Sequence, residues 1–262
     1  MMTAAEIFAC LDAAFPFNDA ESWDNSGYLV HTTRPIHKVL VALDAGRAVL
    51  EEADACGAEL IITHHPVIFH PLHTLRPASP AETALRRDIG ILSVHTNFDV
   101  GPLSADACLS KSLQERLGFV ETAVLDVTRP LPTPHGFGRI GRFPSPVSFD
   151  TLLSTMKDIF KTDRLRAVSG NDRPIHSLSF CSGGGGEYLQ QVVERGLDAY
   201  LTADLKHDAF VTAENTGVSL FCPTHYQMEK PAMSALADFL RQKLPKLTVL
   251  ESVREEEPGR FF

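Results

Sequence analysis

The sequence predicts an α/β fold: two α/β domains with mixed, largely parallel sheets flanked by helices. Short apolar runs alternate with helical stretches from residue 39 to residue 117, which is typical of βαβ units. The same alternation resumes between residues 149 and 243, after an interruption rich in proline and glycine. The length of 262 residues agrees with this organisation, because at about 150 residues per domain it suits one large or two small domains.

The first half of the chain opens with a predicted helix over residues 3–14, since Thr3 followed by Glu6 has the spacing of a capping box. The polar loop SWDNSG follows at residues 22–27. Beyond it, short apolar runs predict strands, and the amphipathic stretches between them predict helices. These elements are strands at 39–43, 60–63 and 91–94 and helices at 47–55, 81–88 and 105–117.

Residues 129–146, RPLPTPHGFGRIGRFPSP, are predicted to be a linker or a domain boundary, because proline and glycine dominate the segment. A second set of elements follows this break. They are helices at 149–160, 188–194 and 232–243 and strands at 178–181, 199–202 and 218–222.

Composition and charge exclude several classes of protein. Hydrophobic residues make up 44% of the chain and charged residues 22%, which is ordinary for a globular protein and unlike a disordered one. No apolar run approaches the length of a membrane span, and the first residues lack the basic region of a signal peptide, so we expect a cytoplasmic protein. The net charge of -9 argues against a nucleic-acid partner. The five cysteines form no C-x-x-C pair, which excludes zinc-finger and thioredoxin-type sites.

Histidine and carboxylate residues directly follow four of the predicted strands. They are His64 and His65 after 60–63, His95 and Asp99 after 91–94, Asp204 and His207 after 199–202, and His225 and Glu229 after 218–222. In open parallel sheets the C-terminal edge is where ligands bind. Because imidazole and carboxylate groups ligate Zn, Fe and Mn, the pattern predicts a metal site.

Each of these motifs also has a structural interpretation. In chain order these are histidines hydrogen-bonded in a loop for His64 and His65, a turn or cap for His95 and Asp99, a cap with a surface histidine for Asp204 and His207, and an exposed i,i+4 helix pair for His225 and Glu229. Together these interpretations require four independent coincidences at equivalent strand ends. The joint pattern therefore favours the metal site.

Two loops can each be interpreted in two ways. The run CSGGGGEYL at residues 181–189 is either an anion cradle at a helix N-terminus or a tight turn that lets backbones approach closely. It matches neither the P-loop nor the dinucleotide fingerprint. In SWDNSG, Asp24 and Asn25 either line a site or form an Asx turn.

Several motifs occur together in a characteristic order. They are WDNSG (23–27), ITHHPVIF (62–69), HTNFD (95–99), CSGGGGE (181–187), LTADLKHD (201–208) and THYQMEK (224–230). This set resembles the Nif-three-like dinuclear-metal family, whose members are often labelled GTP cyclohydrolase I type 2 homologues, and it covers nearly the whole chain. Ala203 departs from the family, which usually has glycine there. The chain is too short for the family's PII-like insertion, so it resembles the short, two-domain form.

The resemblance implies a dinuclear metal centre in the cleft between two α/β domains, residues 1–128 with 225–262 and residues 129–224. It implies two divalent ions per chain, Fe, Zn or Mn. The implied ligands are His64, His65, Asp99, His225 and Glu229. In this assignment His65 and Asp99 hold one ion, His64 and His225 hold the other, and Glu229 bridges them. His95, Asp204 and His207 are implied to lie near the site as catalytic candidates. The resemblance also implies a toroidal homohexamer, a trimer of dimers.

Charge counting predicts the substrate class for such a centre. Two divalent ions bring four positive charges and Asp99 and Glu229 bring two negative ones, so the site should attract an anionic small molecule. An open two-metal site also supplies hydroxide at neutral pH. We therefore expect a metal-dependent hydrolase that uses a metal-bound hydroxide on a nucleotide or other phosphorylated small molecule, as a GTP cyclohydrolase-like enzyme or a phosphoesterase. The alternative is a metal-binding regulatory or scaffold protein, for metal trafficking or partner binding, without turnover.

Overall fold

The structure is a computed structural model that describes residues 1–130 and 134–259. It confirms the α/β class, with two mixed sheets flanked by helices. The helices are α1 (Ala4–Ala14), α2 (Arg47–Cys56), α3 (Pro80–Arg86), α4 (Thr96–Asp99), α5 (Ala105–Leu117), α6 (Phe149–Phe160), α7 (Leu189–Glu194), α8 (His207–Thr216) and α9 (His225–Lys243). The strands are β1 (Gly27–Val30), β2 (Lys38–Ala42), β3 (Leu60–Thr63), β4 (Gly90–Ser93), β5 (Val120–Arg129), β6 (His135–Val147), β7 (Arg166–Val168), β8 (Ile175–Phe180), β9 (Ala199–Leu201), β10 (Ser219–Cys222) and β11 (Thr248–Glu251). None of the helices in these residues combines the length and apolarity needed to cross a bilayer.

Two compact units make up the chain, Met1–Leu103 with Ala232–Phe262 and Ser104–Pro231. These bounds differ from the predicted ones of 128 and 225. The first predicted bound falls at the end of β5, which pairs with β6 and therefore stays in one unit with it. The second falls at the start of α9, whereas the division lies inside that helix, after Pro231.

The sheet of the first unit is largely parallel. Its described strands have the order β1-β4-β3-β2-β11, and only the β1–β4 pair among them is antiparallel. β3 and β4 pair in register from Leu60 opposite Gly90 to Thr63 opposite Ser93, so the two strands end side by side. Helices α2 and α3 cover one face, where Val49 and other apolar side chains pack on the strands. The residues that follow β3 and β4 thereby emerge at one edge.

The sheet of the second unit is mixed, with the described strands in the order β5-β6-β8-β9-β10-β7. β8, β9 and β10 are parallel, and the outer pairs are antiparallel. Helices pack on both faces, because Leu152 and Met156 of α6 belong to one apolar cluster while Leu189 of α7 and Phe210 of α8 belong to the other. Buried strand side chains alternate between these clusters, as Tyr200 and Leu201 do.

The predicted linker over residues 129–146 is wrong. β5 and β6 form a long antiparallel hairpin there, and residues 131–133 lie outside the described part of the chain. The glycines serve close strand packing: a Cβ at Gly136 would meet Asp126 O at 1.9 Å, and one at Gly141 would meet the Phe119 ring at 2.2 Å. Glycine therefore occurs in this segment where strands pack closely. Composition alone would instead predict a flexible loop.

Local signals account for most of the predicted elements. α1 carries the predicted capping box of Thr3 and Glu6. The predicted strands and most of the predicted helices occur within a few residues of their expected bounds, while β1, β5, β6, β7, β11, α4 and α8 were not predicted. The helix predicted to begin at residue 232 begins at His225 instead. The cause of this earlier start is Thr224, the residue that precedes the helix, and the start positions His225 for the candidate site.

Candidate metal centre

His64 and His65 directly follow β3, whose residues are all buried. Strand pairing continues past the end of β3, because the N–H of His64 donates to Ala42 O at 3.3 Å and that of His65 to Leu43 O at 3.0 Å. In a regular strand, neighbouring side chains would point to opposite faces. Here the two ring centroids are 5.0 Å apart, so both imidazoles reach the same edge of the sheet.

A carbonyl oxygen sets the tautomer of His64. The ring is almost fully buried, and its Nδ1 lies 2.9 Å from Val94 O. Because a carbonyl oxygen only accepts, Nδ1–H is the donor, and Nε2 of the neutral ring keeps its lone pair. Nε2 lies 3.5 Å from Asp99 Oδ1. A fixed Nδ1–H donor with Nε2 left as a lone-pair site is the usual condition of a metal-ligating histidine.

Carboxylates hold two further histidines in the same way. His65 Nδ1 lies 2.9 Å from Asp44 Oδ1, and His95 Nδ1 lies 2.8 Å from Asp24 Oδ1. A carboxylate at Nδ1 favours the tautomer with the proton there, which leaves Nε2 as the ligand atom. One ring nitrogen from each of His64, His65 and His95 lies within 4.8 Å of the others. The first unit thus gathers three imidazoles where β3 and β4 end.

Asp24 anchors His95 through a fully buried carboxylate. The carboxylate accepts hydrogen bonds from Thr96 N at 3.1 Å, Thr96 Oγ1 at 2.6 Å and Ser26 Oγ at 2.7 Å. Burial alone would raise the pKa of Asp24, but these bonds and the contact with His95 hold the pKa well below its ordinary value. Asn25 N also donates to Asp24 Oδ1 at 2.7 Å, and the same carboxylate oxygen reaches the histidine cluster through His95.

Asp99 ends the short helix α4, which begins directly after His95. The N–H groups of Phe98 and Asp99 donate to His95 O at 2.8 Å and 3.0 Å, so one turn carries both His95 and Asp99. The family resemblance pairs Asp99 with His65. In the structure, Asp99 Oδ1 lies 3.5 Å from Nε2 of the buried His64.

In the second unit, His225 and Glu229 lie one helical turn apart at the start of α9. His225 Nε2 lies 3.0 Å from Glu229 Oε2, and the Glu229 side chain is nearly fully buried. The helix begins early because Thr224 and Gln227 form a capping box: Gln227 N donates to Thr224 Oγ1, and Thr224 N donates to Gln227 Oε1. This T-x-x-Q signal is in the sequence and was missed, which explains the late predicted start.

Asp204 supports His225 from the turn after β9. Its Oδ2 lies 2.6 Å from His225 Nδ1, and its backbone adopts the left-handed region at φ 55°. Such a conformation is uncommon outside glycine, although aspartate tolerates it better than most residues. His207 begins α8 and is exposed, and in the described residues no hydrogen bond or ion pair joins it to His225 or Glu229. The structure therefore brings Asp204 to the predicted ligands and leaves His207 apart.

Comparison with known proteins agrees with these motifs. The family DUF34/NIF3 (NGG1p interacting factor 3) matches residues 2–258. The chain belongs to the DUF34/NIF3 family. A Nostoc relative named GTP cyclohydrolase 1 type 2 homolog is 34% identical over 86% of this chain and 85% of its own length. A Helicobacter pylori relative named GTP cyclohydrolase 1 type 2 is 29% identical over 92% of both chains.

Solved structures show the same fold. A Bacillus cereus protein related to NIF3 superposes with a TM-score of 0.86 over 98% of both chains, at 20% identity. Reduced HcgD from Methanocaldococcus jannaschii superposes with a TM-score of 0.81 over 95% of this chain and 97% of its own, at 26% identity. The predicted NIF3-like resemblance is therefore confirmed, while the predicted site residues stay predictions.

The glycine run of this DUF34/NIF3 chain packs tightly against its neighbours. Gly185 N donates to Thr202 Oγ1 at 2.8 Å, Tyr200 Oη donates to Gly185 O at 2.6 Å, and Gly183 O accepts from Ala203 N at 2.9 Å. A Cβ at Gly183, where φ is 69°, would lie 2.5 Å from Glu229 Oε1. These contacts favour the close-approach interpretation over the anion cradle.

The departure from the family at Ala203 is accommodated by the same turn. The left-handed residue is Asp204, so alanine fits one position earlier. Asp44 is a supporting residue that sequence reasoning missed. It lies two residues after the end of β2 at Ala42, and only its position one strand away from His65 could have indicated the contact.

Proposed function

We propose that this NIF3-family chain binds two divalent metal ions and acts as a metal-dependent hydrolase on a nucleotide or other phosphorylated small molecule. The observation that carries the proposal is shared by four histidines. Each places Nδ1 within hydrogen-bond distance of an oxygen acceptor, as metal-ligating histidines commonly do. Three imidazoles within 4.8 Å and a histidine paired with the buried Glu229 make a donor set that suits Zn, Fe or Mn.

We assign the ligands by their contacts within each unit. His64 and Asp99, 3.5 Å apart, would share one ion. His225 and Glu229, 3.0 Å apart, would hold the other. This assignment gives His64 the place beside Asp99 that the family resemblance implies for His65, and His65 stays a predicted ligand.

The ions would supply positive charge and an activated water at neutral pH. Their four positive charges exceed the two negative charges of Asp99 and Glu229, which favours a substrate with a phosphate group. His95 is the proton-transfer candidate, because Asp24 orients its ring at Nδ1. Asp204 would orient His225 in the same manner. His207 has no such contact among the described residues and loses support as a catalytic residue.

Turnover on a small panel tests this proposal. The protein would be loaded separately with Fe(II), Zn(II) or Mn(II) and assayed on GTP, nucleoside monophosphates and simple phosphoesters. We expect hydrolysis that needs the metal and falls by at least about a hundredfold in Glu229→Ala. Metal bound without turnover on any of these compounds would contradict the hydrolase. It would favour the regulatory or metal-trafficking alternative.

The assembly and the location also remain proposals. We propose a homohexamer, a trimer of dimers, and a cytoplasmic protein. Light scattering of the purified protein would give six times the chain mass of 28.7 kDa if the hexamer forms. A mass of one or two chains at working concentration would contradict it.

A further inference from the structure

Two exposed aromatic rings flank His95 in the first unit. Trp23 is the single tryptophan of the chain, and 56% of its surface is exposed. Phe69 is 39% exposed. Large apolar side chains are normally removed from water, so a pair of them exposed beside a cluster of ligand-type residues requires an explanation.

The three rings form a compact group. The Trp23 and Phe69 centroids are 5.9 Å apart, with their planes tilted by 50°. Trp23 lies 6.2 Å from His95 at 78°, and Phe69 lies 6.1 Å from His95 at 79°. Both ring planes are therefore nearly perpendicular to the imidazole plane, and both rings keep a substantial part of their surface exposed.

The loops that carry these rings are held in place. Trp23 directly precedes Asp24, whose buried carboxylate accepts from Thr96 and Ser26. Asn25 Nδ2 donates to Ile68 O at 2.5 Å, which joins the Trp23 loop to the loop of Phe69. The exposure of the two rings is thus a property of an anchored structure. An exposed ring on a fixed backbone loses little entropy when a ligand stacks on it.

We propose that Trp23 and Phe69 form a stacking site for a planar heteroaromatic ring of the substrate, such as a nucleobase. Base–aromatic stacking tolerates many ring types, because every base presents a π-face. The polar residues Ser22, Asp24 and His70 flank the two rings in sequence. The two side chains also present far less area than the about 800 Å² that each partner buries in a stable protein interface. A small molecule therefore fits this site better than a protein does.

The inference rests on the proposed function in one respect. It assigns the phosphate of the ligand to the metal ions and the ring to Trp23 and Phe69. The substrate would then be a nucleotide, rather than a phosphorylated molecule without a ring. Adenosine 5′-monophosphate and ribose 5-phosphate form a matched pair of probes, since they share the phosphate and the ribose and differ in the base.

Fluorescence of the single tryptophan reads this site directly. Zinc-loaded protein would be titrated with each probe, with free N-acetyl-tryptophanamide as the control for light absorption by the base. We expect adenosine 5′-monophosphate to quench Trp23 and to bind at least about tenfold more tightly than ribose 5-phosphate. Phe69→Ala should weaken the nucleotide and leave ribose 5-phosphate unchanged.

Calorimetry extends the test to Trp23 itself. Trp23→Ala should weaken adenosine 5′-monophosphate by about tenfold, and Trp23→Phe should retain most of the affinity. Leu85→Ala is the matched control, because Leu85 is also 56% exposed but lies on α3. Leu85→Ala should bind both probes as the unmodified protein does.

Three results would overturn the stacking site. Equal affinities for the two probes would do so, as would nucleotide affinity that survives Trp23→Ala. Blue-shifted Trp23 emission that moves on dilution would show that a second copy of the chain covers the ring. If zinc binds and the probes do not discriminate, the stacking site fails while the metal proposal stands. If zinc does not bind and the nucleotide still quenches Trp23, the metal proposal fails while the stacking site stands.

Discussion

The two units hold their candidate ligands by different means. In the first unit, the edge of a parallel sheet positions the histidines, and the carboxylate of Asp24 behind His95 is fully buried. In the second unit, a helix start positions His225, and the side chain of Asp204 behind it is 60% exposed. The same contact, a carboxylate at a histidine Nδ1, therefore occurs once with a buried carboxylate and once with an exposed one. The buried version should contribute to stability as well as to ligand geometry.

A second pair of carboxylates shows how the surroundings decide the charge. Hydrogen bonds keep the pKa of Asp24 low, whereas burial raises the pKa of Asp106 in the second unit to about 6. The charge of Arg139 and the N–H groups of Ser182 and Gly138 oppose that rise without cancelling it. Asp106 accepts from Ser182 N at 2.8 Å, so it holds the strand end that leads into the glycine run.

The largest expected effect separates the two histidine supports. Asp24→Ala should lower the free energy of unfolding by about 3 kcal/mol, since it leaves buried donors and His95 without their acceptor. Asp204→Ala should lower it by less than about 1 kcal/mol, because its side chain is largely in water. Urea denaturation of both variants measures the difference. Equal losses of unfolding free energy in the two variants would contradict the difference between a buried and an exposed carboxylate.

The pH dependence of stability distinguishes Asp24 from Asp106. The pKa of Asp106 is raised in the folded state, so the folded protein binds the extra proton between its ordinary value of 3.8 and about 6, and stability falls as pH rises through this window. Relative to Asp106→Asn, the unmodified protein should lose about 2–3 kcal/mol between pH 4 and pH 7.

Asp24 should behave in the opposite way. Its pKa is lowered on folding, so its contribution is present above its unfolded value and is lost only as pH falls below it. The difference between the unmodified protein and Asp24→Asn should therefore stay constant from pH 5 to pH 7. A pH-independent difference for Asp106→Asn over the same range would show that Asp106 is ionised throughout.

The glycine run offers a matched pair of substitutions. Gly183→Ala should cost about 2 kcal/mol, because φ is 69° there and the new methyl group would meet Glu229. Gly186→Ala should change stability by less than about 0.5 kcal/mol, since a Cβ at Gly186 meets only Leu205 at 3.5 Å. Metal affinity should fall in Gly183→Ala alone. Similar behaviour of the two variants would refute the contact with Glu229.

The smallest expected effect concerns the helix caps. Thr224→Ala should cost about 1 kcal/mol by removing the capping box of α9. Ser148→Ala should cost about as much, because Ser148 caps α6 through Thr151 N at 3.1 Å. Only Thr224→Ala should also weaken metal binding, since His225 follows it directly. Unchanged metal affinity in both variants would show that the helix cap does not influence the candidate metal site.

The sequence predicts the places of ligand-type residues better than their supports. Strand ends predict the positions of His64, His65 and His95, because consecutive parallel strands end at a common edge. The partners of these histidines come from distant parts of the chain. Asp44 reaches His65 across a neighbouring strand, and Asp24 reaches His95 over 71 residues of sequence. Such contacts depend on strand order and loop geometry, which local patterns do not contain.

Misjudged segments have local physical reasons. The segment 129–146 was predicted to be a linker from its glycines, which in fact allow close strand packing in β6. The start of α9 was placed after Pro231, although Thr224 and Gln227 already carry the capping signal. The two interpretations of the glycine run could be separated only by the hydrogen-bond partners of Gly183 and Gly185, which local sequence patterns do not contain.

Metal content tests the central proposal most directly: that the chain binds two divalent metal ions. Elemental mass spectrometry would be applied to tag-free protein, to His64→Ala in the first unit, to Glu229→Ala in the second and to Glu214→Ala, an exposed glutamate of α8, as the control. We expect about two ions per chain in the unmodified protein and in Glu214→Ala, and a clear loss in both ligand variants. Protein that holds no metal after anaerobic purification and reloading would contradict the account.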